Sequence, residues 1–256
     1  MFTLPTQPQT IGETLDTGFK LYFKSFTQIF FISLIMNSLW LINSLVFGPG
    51  AFQDKVVTED VAGILGLVVV LLLVYLIFQV AIIHRINNFA HNTTANVSES
   101  FQLGMKIFLP MILATILNVL ILMVGFVLLI IPGIALAIYL MLYPIALVTE
   151  SRGPLDSLQR SMDLVKKNWW RSMLIVTVVM IVYSILYSVV VIGFSVSIAI
   201  NPPEDVNEYA IVFDLVGAII GTLLGPLAFS MLIVLFNDLK IRREGGDIEA
   251  QLNEME

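Results

Sequence analysis

The residues of this chain that could do chemistry gather where its apolar runs end. Glu150, Arg152, Arg160 and Asp163 follow the run that closes at Thr149. Asp238, Lys240, Arg242 and Arg243 follow the run that closes at Phe236. Trp169 and Trp170 stand between them, at the entry to another apolar run. A compact bundle would bring these charges to one rim. Such a rim supports two chemistries. One is a structural ion network that ties helix to helix. The other is a docking site for an anionic lipid headgroup or a membrane protein partner, because basic clusters beside membrane spans attract such groups. The Trp pair fits an aromatic belt at a membrane–water interface, with a lipid or ligand platform as the alternative.

Other chemistries find little support. His84 and His91 have no partner at metal-ligand spacing, so no zinc site is expected. The chain has no Cys, which removes disulfides, thiolate ligands and a Cys nucleophile. No nucleophile–base pair or metal motif is visible, so neither catalytic residue nor cofactor is expected and the chain reads as a non-enzyme. No charged residue falls mid-run, where it would mark an ion or proton pathway. Pro110, Pro144 and Pro226 keep a small transporter or channel as the alternative, since broken helices build transport sites. Asn37, Asn43, Gln79 and Asn118 are the polar residues inside the runs. Interhelical hydrogen bonds worth about 0.6 kcal/mol each explain them. Gly221 and Gly225 carry the spacing of a close helix contact. Asp214 enters the last run near its start, where a helix N-terminus accommodates a carboxylate.

These groups must be positioned by membrane helices. Hydrophobic residues are 58% of the chain and charged residues 12%, against about 25% charged in soluble domains. Mean hydropathy is +0.93. Runs of bilayer length, about 20 residues, cover Thr27–Phe47, Ala62–Ile83, Arg171–Ile200 and Tyr209–Phe236. Phe108–Thr149 is long enough for about 63 Å of helix, two crossings with almost nothing left over. The break is expected to be tight and close to Pro132-Gly133, with Pro132 opening the fourth helix. Gly48-Pro49-Gly50 and Asn201-Pro-Pro-Glu-Asp separate other runs. Six crossings result, within a single polytopic domain over 1–256.

Orientation follows from Lys and Arg. With the N-terminus in the cytoplasm, only Lys55 of the 13 basic residues falls outside. Lys20, Lys24, Arg85, Lys106, Lys166, Lys167 and Arg171 join the rim cations inside. This asymmetry predicts both termini in the cytoplasm of a bacterial inner membrane. It also leaves the sequons at Asn92 and Asn96 unused. Net charge is −6, which argues against a nucleic-acid partner. Met1–Thr10 has neither a basic region nor an apolar run, so no cleaved leader is expected.

Three segments align without gaps before the odd-numbered runs: TIGETLDTGFKLYFK from Thr10, NVSESFQLGMKIFLP from Asn96 and GPLDSLQRSMDLVKK from Gly153. Each opens on a cap-type residue followed three positions on by Glu13, Glu99 or Asp156, the pattern of a capping box. A hydroxyl follows at Thr14, Ser100 and Ser157. Apolar residues recur at Leu15/Phe101/Leu158, Phe19/Met105/Met162 and Tyr22/Phe108/Val165, one helical stripe. Gly18, Gly104 and Ser161 also coincide. The expectation is an all-α membrane protein with a pseudo-threefold repeat. Each unit is a cytoplasmic-side amphipathic helix plus a transmembrane hairpin, at about 10–85, 96–150 and 153–243, with a charged cytoplasmic tail at 244–256. Such helices lie at the interface, against acyl chains or against the bundle. The turn Ser151-Arg-Gly-Pro folds the chain back at once, which predicts a Glu150–Arg160 ion pair.

The run LLIIPGIALAIYLMLYPIALVTE followed by LQRSMDLVKKNWWR resembles the YciC-type bacterial integral membrane proteins. It equally resembles the membrane domain N-terminal to some glycerophosphodiester phosphodiesterases. TIGETLDTGFKLYFKSF and LFNDLKIRREGGDIE match the latter group as well. The resemblance covers nearly the whole chain and implies a six-helix inner-membrane module; the expected role is lipid or protein-partner binding in envelope homeostasis. It brings no catalytic residue. The sequence ends soon after Arg243 without a phosphodiesterase barrel, so no hydrolase activity is expected. The oligomeric state is left open.

Overall fold

The computed structural model describes residues 2–47, 61–93, 96–200 and 206–255, with side chains described outside 40, 43–47, 61, 64, 206–210 and 246–255. The Gly48 and Asn201 breaks, Lys55, and the acidic residues 54, 59, 60, 204 and 205 lie outside the described residues, as do the side chains of Asn43 and Glu208.

The described residues are helical almost throughout. Among the described residues nine helices follow in order: α1 (Ile11–Phe47), α2 (Val61–Ala90), α3 (Val97–Lys106), α4 (Phe108–Leu128), α5 (Ile130–Leu140), α6 (Tyr143–Thr149), α7 (Pro154–Lys166), α8 (Trp169–Ile200) and α9 (Val206–Met255). Six stretches are long and apolar enough to cross a membrane: Ile11–Leu39, Leu65–Ala90, Phe108–Leu128, Ile130–Thr149, Trp169–Ile200 and Ile211–Gly245. α1 packs between α9 and α2, α4 pairs with α5, α3 lies on α2, and α7 packs on α6, α4 and α5. α8 is the least embedded, with Ser172 and Ile175 its only fully buried described residues. Apolar side chains such as Met180, Ile185, Val189 and Ile192 stand exposed along it, as they do along α4.

The three aligned segments do not fold alike. In the first, the amphipathic stretch is the opening of α1 itself, one unbroken helix of 37 residues. Nothing between Lys20 and Thr27 interrupts it. In the second, Pro110 stands three positions into α4. Its ring excludes a helical carbonyl at Lys106, four residues back, and α3 ends there. In the third, α7 closes on Lys167 and Asn168 before α8 begins. The caps differ too. Thr10–Glu13 and Asn96–Glu99 form reciprocal hydrogen bonds. Gly153 has no side chain to cap with, and α7 opens on Pro154 instead.

The face buried by these segments is only partly the apolar stripe expected: Tyr22, Leu158 and Val165 are buried, but a second row joins them. Thr14, Ser100 and Ser157 are fully buried, and so is Ser161. Met105 and Met162, inside the expected stripe, are 63% and 40% exposed. Small residues let the backbones approach: a Cβ on Gly104 would lie 3.1 Å from the Ile77 carbonyl oxygen. The hydroxyl-and-small row therefore faces the bundle, and α3 and α7 pack on protein through it.

The hairpin between α4 and α5 is tight and breaks at Leu129 (φ −167°, ψ 154°), three residues before Pro132, which therefore does not open the helix. Pro132 is the third residue of α5, within a first turn whose N–H groups have no helical partner. Its ring displaces the helix at Leu128, four residues earlier, and α4 ends there. One residue thus makes the turn. The legs close tightly, since a Cβ on Gly125 would stand 3.1 Å from the Gly133 Cα. The tip is apolar and open, with Val127 at 83% and Ile131 at 80% exposure.

Two backbone faults inside the spans are repaired by serines. Pro226 lacks the N–H that would bond the Thr222 carbonyl, and Ser33 of α1 donates to that carbonyl at 3.0 Å. Tyr22 donates to the next carbonyl, Leu223, at 2.8 Å. The fourth span breaks again at Met141–Leu142, ahead of Pro144. There Ser161 of α7 accepts from the Leu142 N–H at 3.0 Å and donates to the Tyr139 carbonyl at 2.7 Å. Freed polar backbone survives at membrane depth only where protein satisfies it in this way. Asn37 departs from the interhelical expectation: its amide donates to Ser33 within α1. It also packs against Gly221, where a Cβ would collide with it; Gly225 faces open space.

Candidate functional site

One end of the bundle collects the start of α1, the ends of α2, α6 and α9, and all of α7. The chain before α1 crosses this end as an extended strap. Phe2 is buried and its N–H donates to Asn92 Oδ1 at 3.1 Å. Asn237 donates to the Pro5 carbonyl at 3.0 Å. The rim charges expected from the sequence meet here, but as two networks rather than one.

The first network is centred on Glu150. Arg160 donates to both of its oxygens, from Nε at 3.1 Å and from a terminal nitrogen at 3.0 Å. This is the expected ion pair, in two-pronged form. Arg152 also donates to Glu150, and Lys240 Nζ lies 3.4 Å away. Arg160 further reaches Glu244 at 3.0 Å. Arg243 joins differently, donating to the Asp163 backbone carbonyl at 2.6 Å; the Asp163 carboxylate is not the acceptor. Burial raises the Glu150 carboxyl, but the hydrogen bonds from Arg160 and Arg152 outweigh it and hold the pKa below the usual glutamate value. Burial likewise lowers Arg160, and Glu150 and Glu244 overcome it, so the guanidinium is raised.

The second network is centred on Asp238, whose side chain is 2% exposed. Arg171 and Arg242 each donate from Nε to Oδ2 at 2.9 Å. The Gln9 N–H donates to Oδ1 at 2.8 Å. Both arginines then reach the Gln9 carbonyl, and Arg171 also donates to Thr14 at 2.8 Å. Asp238 therefore clamps the strap, α1, α8 and α9 together. Arg171, Gln9, Thr14 and Glu244 were not among the site residues read from the sequence. Arg171 carried a signal, since it follows the Trp pair directly, but its partner is 67 positions away.

The tryptophans separate. Trp169 is half-buried, its Nε1 3.5 Å from the Ala135 carbonyl of α5. Trp170 is 71% exposed and stands edge-on to Trp169, ring centroids 4.7 Å apart. His84 has both ring nitrogens engaged, by Ser100 and by Asn88, each at 3.0 Å. Among the described residues no three His, Cys, Asp or Glu side chains gather as a metal site.

The model of a family described as a domain of unknown function, DUF7847, matches residues 26–239. The chain belongs to this family. The matched region takes in Glu150, Arg152, Arg160, Arg171 and Asp238. Gln9, Thr14, Lys240, Arg242 and Arg243 fall outside it, so the partners that complete both networks come from beyond the family's boundaries. Neither a curated protein nor a solved structure matches the chain.

Chemically the rim is a donor-rich surface. Arg152, Arg160, Lys240, Arg171 and Arg242 stand against the carboxylates of Glu150, Glu244 and Asp238, and Arg243 bonds the Asp163 backbone carbonyl. Exposed Lys166 and Lys167 add cations, and exposed Glu13 and Asp156 at the starts of α1 and α7 add carboxylates.

Proposed function

We propose that the chain is a non-enzymatic, multi-pass module of the bacterial cytoplasmic membrane. Both termini face the cytoplasm, and the charged end docks anionic lipid headgroups. The observation that carries this reading is the surplus of cations over carboxylates among the described residues at the end where the spans terminate. Such a surface attracts anionic lipid by about 1 kcal/mol per cation. The exposed Trp170 supports the same depth, because indole rings favour the interface. On this reading the chain is kin to the YciC-type membrane proteins and to the phosphodiesterase membrane domain.

The break at Met141–Leu142 favours a small transporter as the second reading. Ser161 already engages Tyr139 and Leu142 there, so the freed groups are satisfied from within the protein, which weighs against a solute site. To test the first reading, the protein is reconstituted in phosphatidylcholine nanodiscs containing a minority of phosphatidylglycerol. Lipid recovered with the protein is then compared with the bulk. Enrichment of phosphatidylglycerol is expected. Recovery at the bulk ratio refutes headgroup docking, and solute flux in protein-containing vesicles would favour the transporter.

A further inference from the structure

A recess of about 390 Å³ opens beside the Glu150 network. Its polar wall includes Asn87, His91, Thr149, Asn237 and Lys240, and Glu150, whose carboxylate is already held by Arg160, Arg152 and Lys240, also lines it. Leu4 of the strap, with Ile233 and Phe236 of α9, forms the apolar wall. It sits where the second span ends at Ala90 and the fourth at Thr149. Ligand sites run from about 300 to 1,000 Å³, so this one suits a headgroup rather than a whole lipid.

The local charge does not cancel. Arg152, Arg160 and Lys240 surround Glu150, and among the described residues Glu244 is the one further carboxylate bonded to them. Three cations thus share two carboxylates. Lys240 makes the longest of these contacts and is the one of the three that lines the recess. Several neighbours are already committed: Thr149 bonds the Ile145 carbonyl, His91 Nδ1 the Asn87 carbonyl, and the Asn237 amide Pro5. The Asn87 side-chain amide has no partner among the described residues. A cation, an available amide and an apolar wall at one depth fit a group that is anionic at one end and hydrocarbon at the other.

We infer that this recess binds the phosphodiester group of an anionic membrane phospholipid. Lys240 and Asn87 donate to its non-bridging oxygens. Leu4, Ile233 and Phe236 contact the glycerol and the first methylenes. The assignment rests on the headgroup-docking reading above and narrows it to one site.

The test uses the full chain in phosphatidylcholine nanodiscs with limiting phosphatidylglycerol, and native mass spectrometry of lipid retained on gentle release. Wild type should keep one phosphatidylglycerol. Lys240→Gln should weaken its retention about fivefold, the worth of one cation at an anionic surface. Lys167→Gln, an exposed rim cation away from the recess, should lose distinctly less than Lys240→Gln, the part due to the general field alone. Because Lys240 also touches Glu150, Asn87→Leu serves as a second variant that leaves the ion network in place. It should weaken retention as well, and both variants should unfold cooperatively in phosphatidylcholine alone. Equal losses in Lys240→Gln and Lys167→Gln would show a diffuse field and overturn the site. So would wild-type retention in both recess variants, although general enrichment would then still stand. Displacement of the lipid by inorganic phosphate at equal concentration would overturn the lipid assignment. No phosphatidylglycerol preference in wild type would end both readings together.

Discussion

Replacing Asp238 by Asn tests whether the second ion network holds the charged end together. The substitution is nearly isosteric, so packing is preserved. Oδ1 can still accept from the Gln9 N–H. The loss falls on Oδ2, which becomes an amide nitrogen facing the Nε–H groups of Arg171 and Arg242. Two guanidinium groups are left beside a side chain that is 2% exposed, with their own side chains 14% and 29% exposed. Breaking a buried pair by removing one partner costs about 3–5 kcal/mol. The partial exposure of Arg242 places this case at the low end, about 3 kcal/mol, which is a factor of more than 100 in the unfolding equilibrium. The assay is reversible unfolding by denaturing detergent in mixed micelles, with hydrogen exchange at the strap as a second readout. Exchange at the Gln9 amide should accelerate, because the carboxylate organises that segment. Asp16→Asn, at an exposed contact with Lys20, is the control and should leave stability unchanged. Adding Arg171→Gln to Asp238→Asn should recover part of the loss, as coupled partners do. If Asp238→Asn unfolds like Asp16→Asn and the strap exchanges no faster, the network contributes nothing and the reasoning fails.

Three further outcomes follow from the same geometry. Ser161→Ala leaves the Leu142 N–H and the Tyr139 carbonyl unpaired at the break, and should destabilise by about 1–3 kcal/mol per unsatisfied group; unchanged unfolding would mean the break is satisfied some other way. Glu150→Gln should remove a pH-dependent contribution. The carboxyl is lowered in the folded protein, so its stabilisation is present above the ordinary glutamate range and is lost as pH falls through the folded value; stability curves of variant and wild type should converge in acid and separate near neutrality, and parallel curves would disprove the pairing. Ile131→Cys, at the exposed hairpin tip, should react with an impermeant maleimide only from the side opposite the termini, whereas Gly133 is buried against Phe126 and is a poor reporter; labelling of Ile131→Cys from the side of the termini would refute the hairpin's crossing.

The sequence by itself determined the membrane class, the six apolar spans and the short turn after Glu150. Each of these depends on local composition or on a few neighbouring residues. Apolar runs of bilayer length have few other fates, and Gly153-Pro154 brings Arg160 back to Glu150 over ten positions. Proline effects were legible in part. Each ring acts on the carbonyl four residues earlier, so the hairpin breaks at Leu129, ahead of the proline itself. What the sequence could not determine is the long-range pairing. Gln9 meets Asp238 across 229 positions and Arg171 meets it across 67. The face that a short amphipathic helix buries was also decided by tertiary packing. Close approach favoured the row of Thr14, Ser100, Ser157 and Ser161 over the more apolar Met105 and Met162. Within a membrane an apolar side chain gains little by leaving lipid for protein, while a small residue gains contact and a hydroxyl gains a partner. The hydrophobic pattern therefore reports which stretches are helices, and the small and polar residues report how they dock.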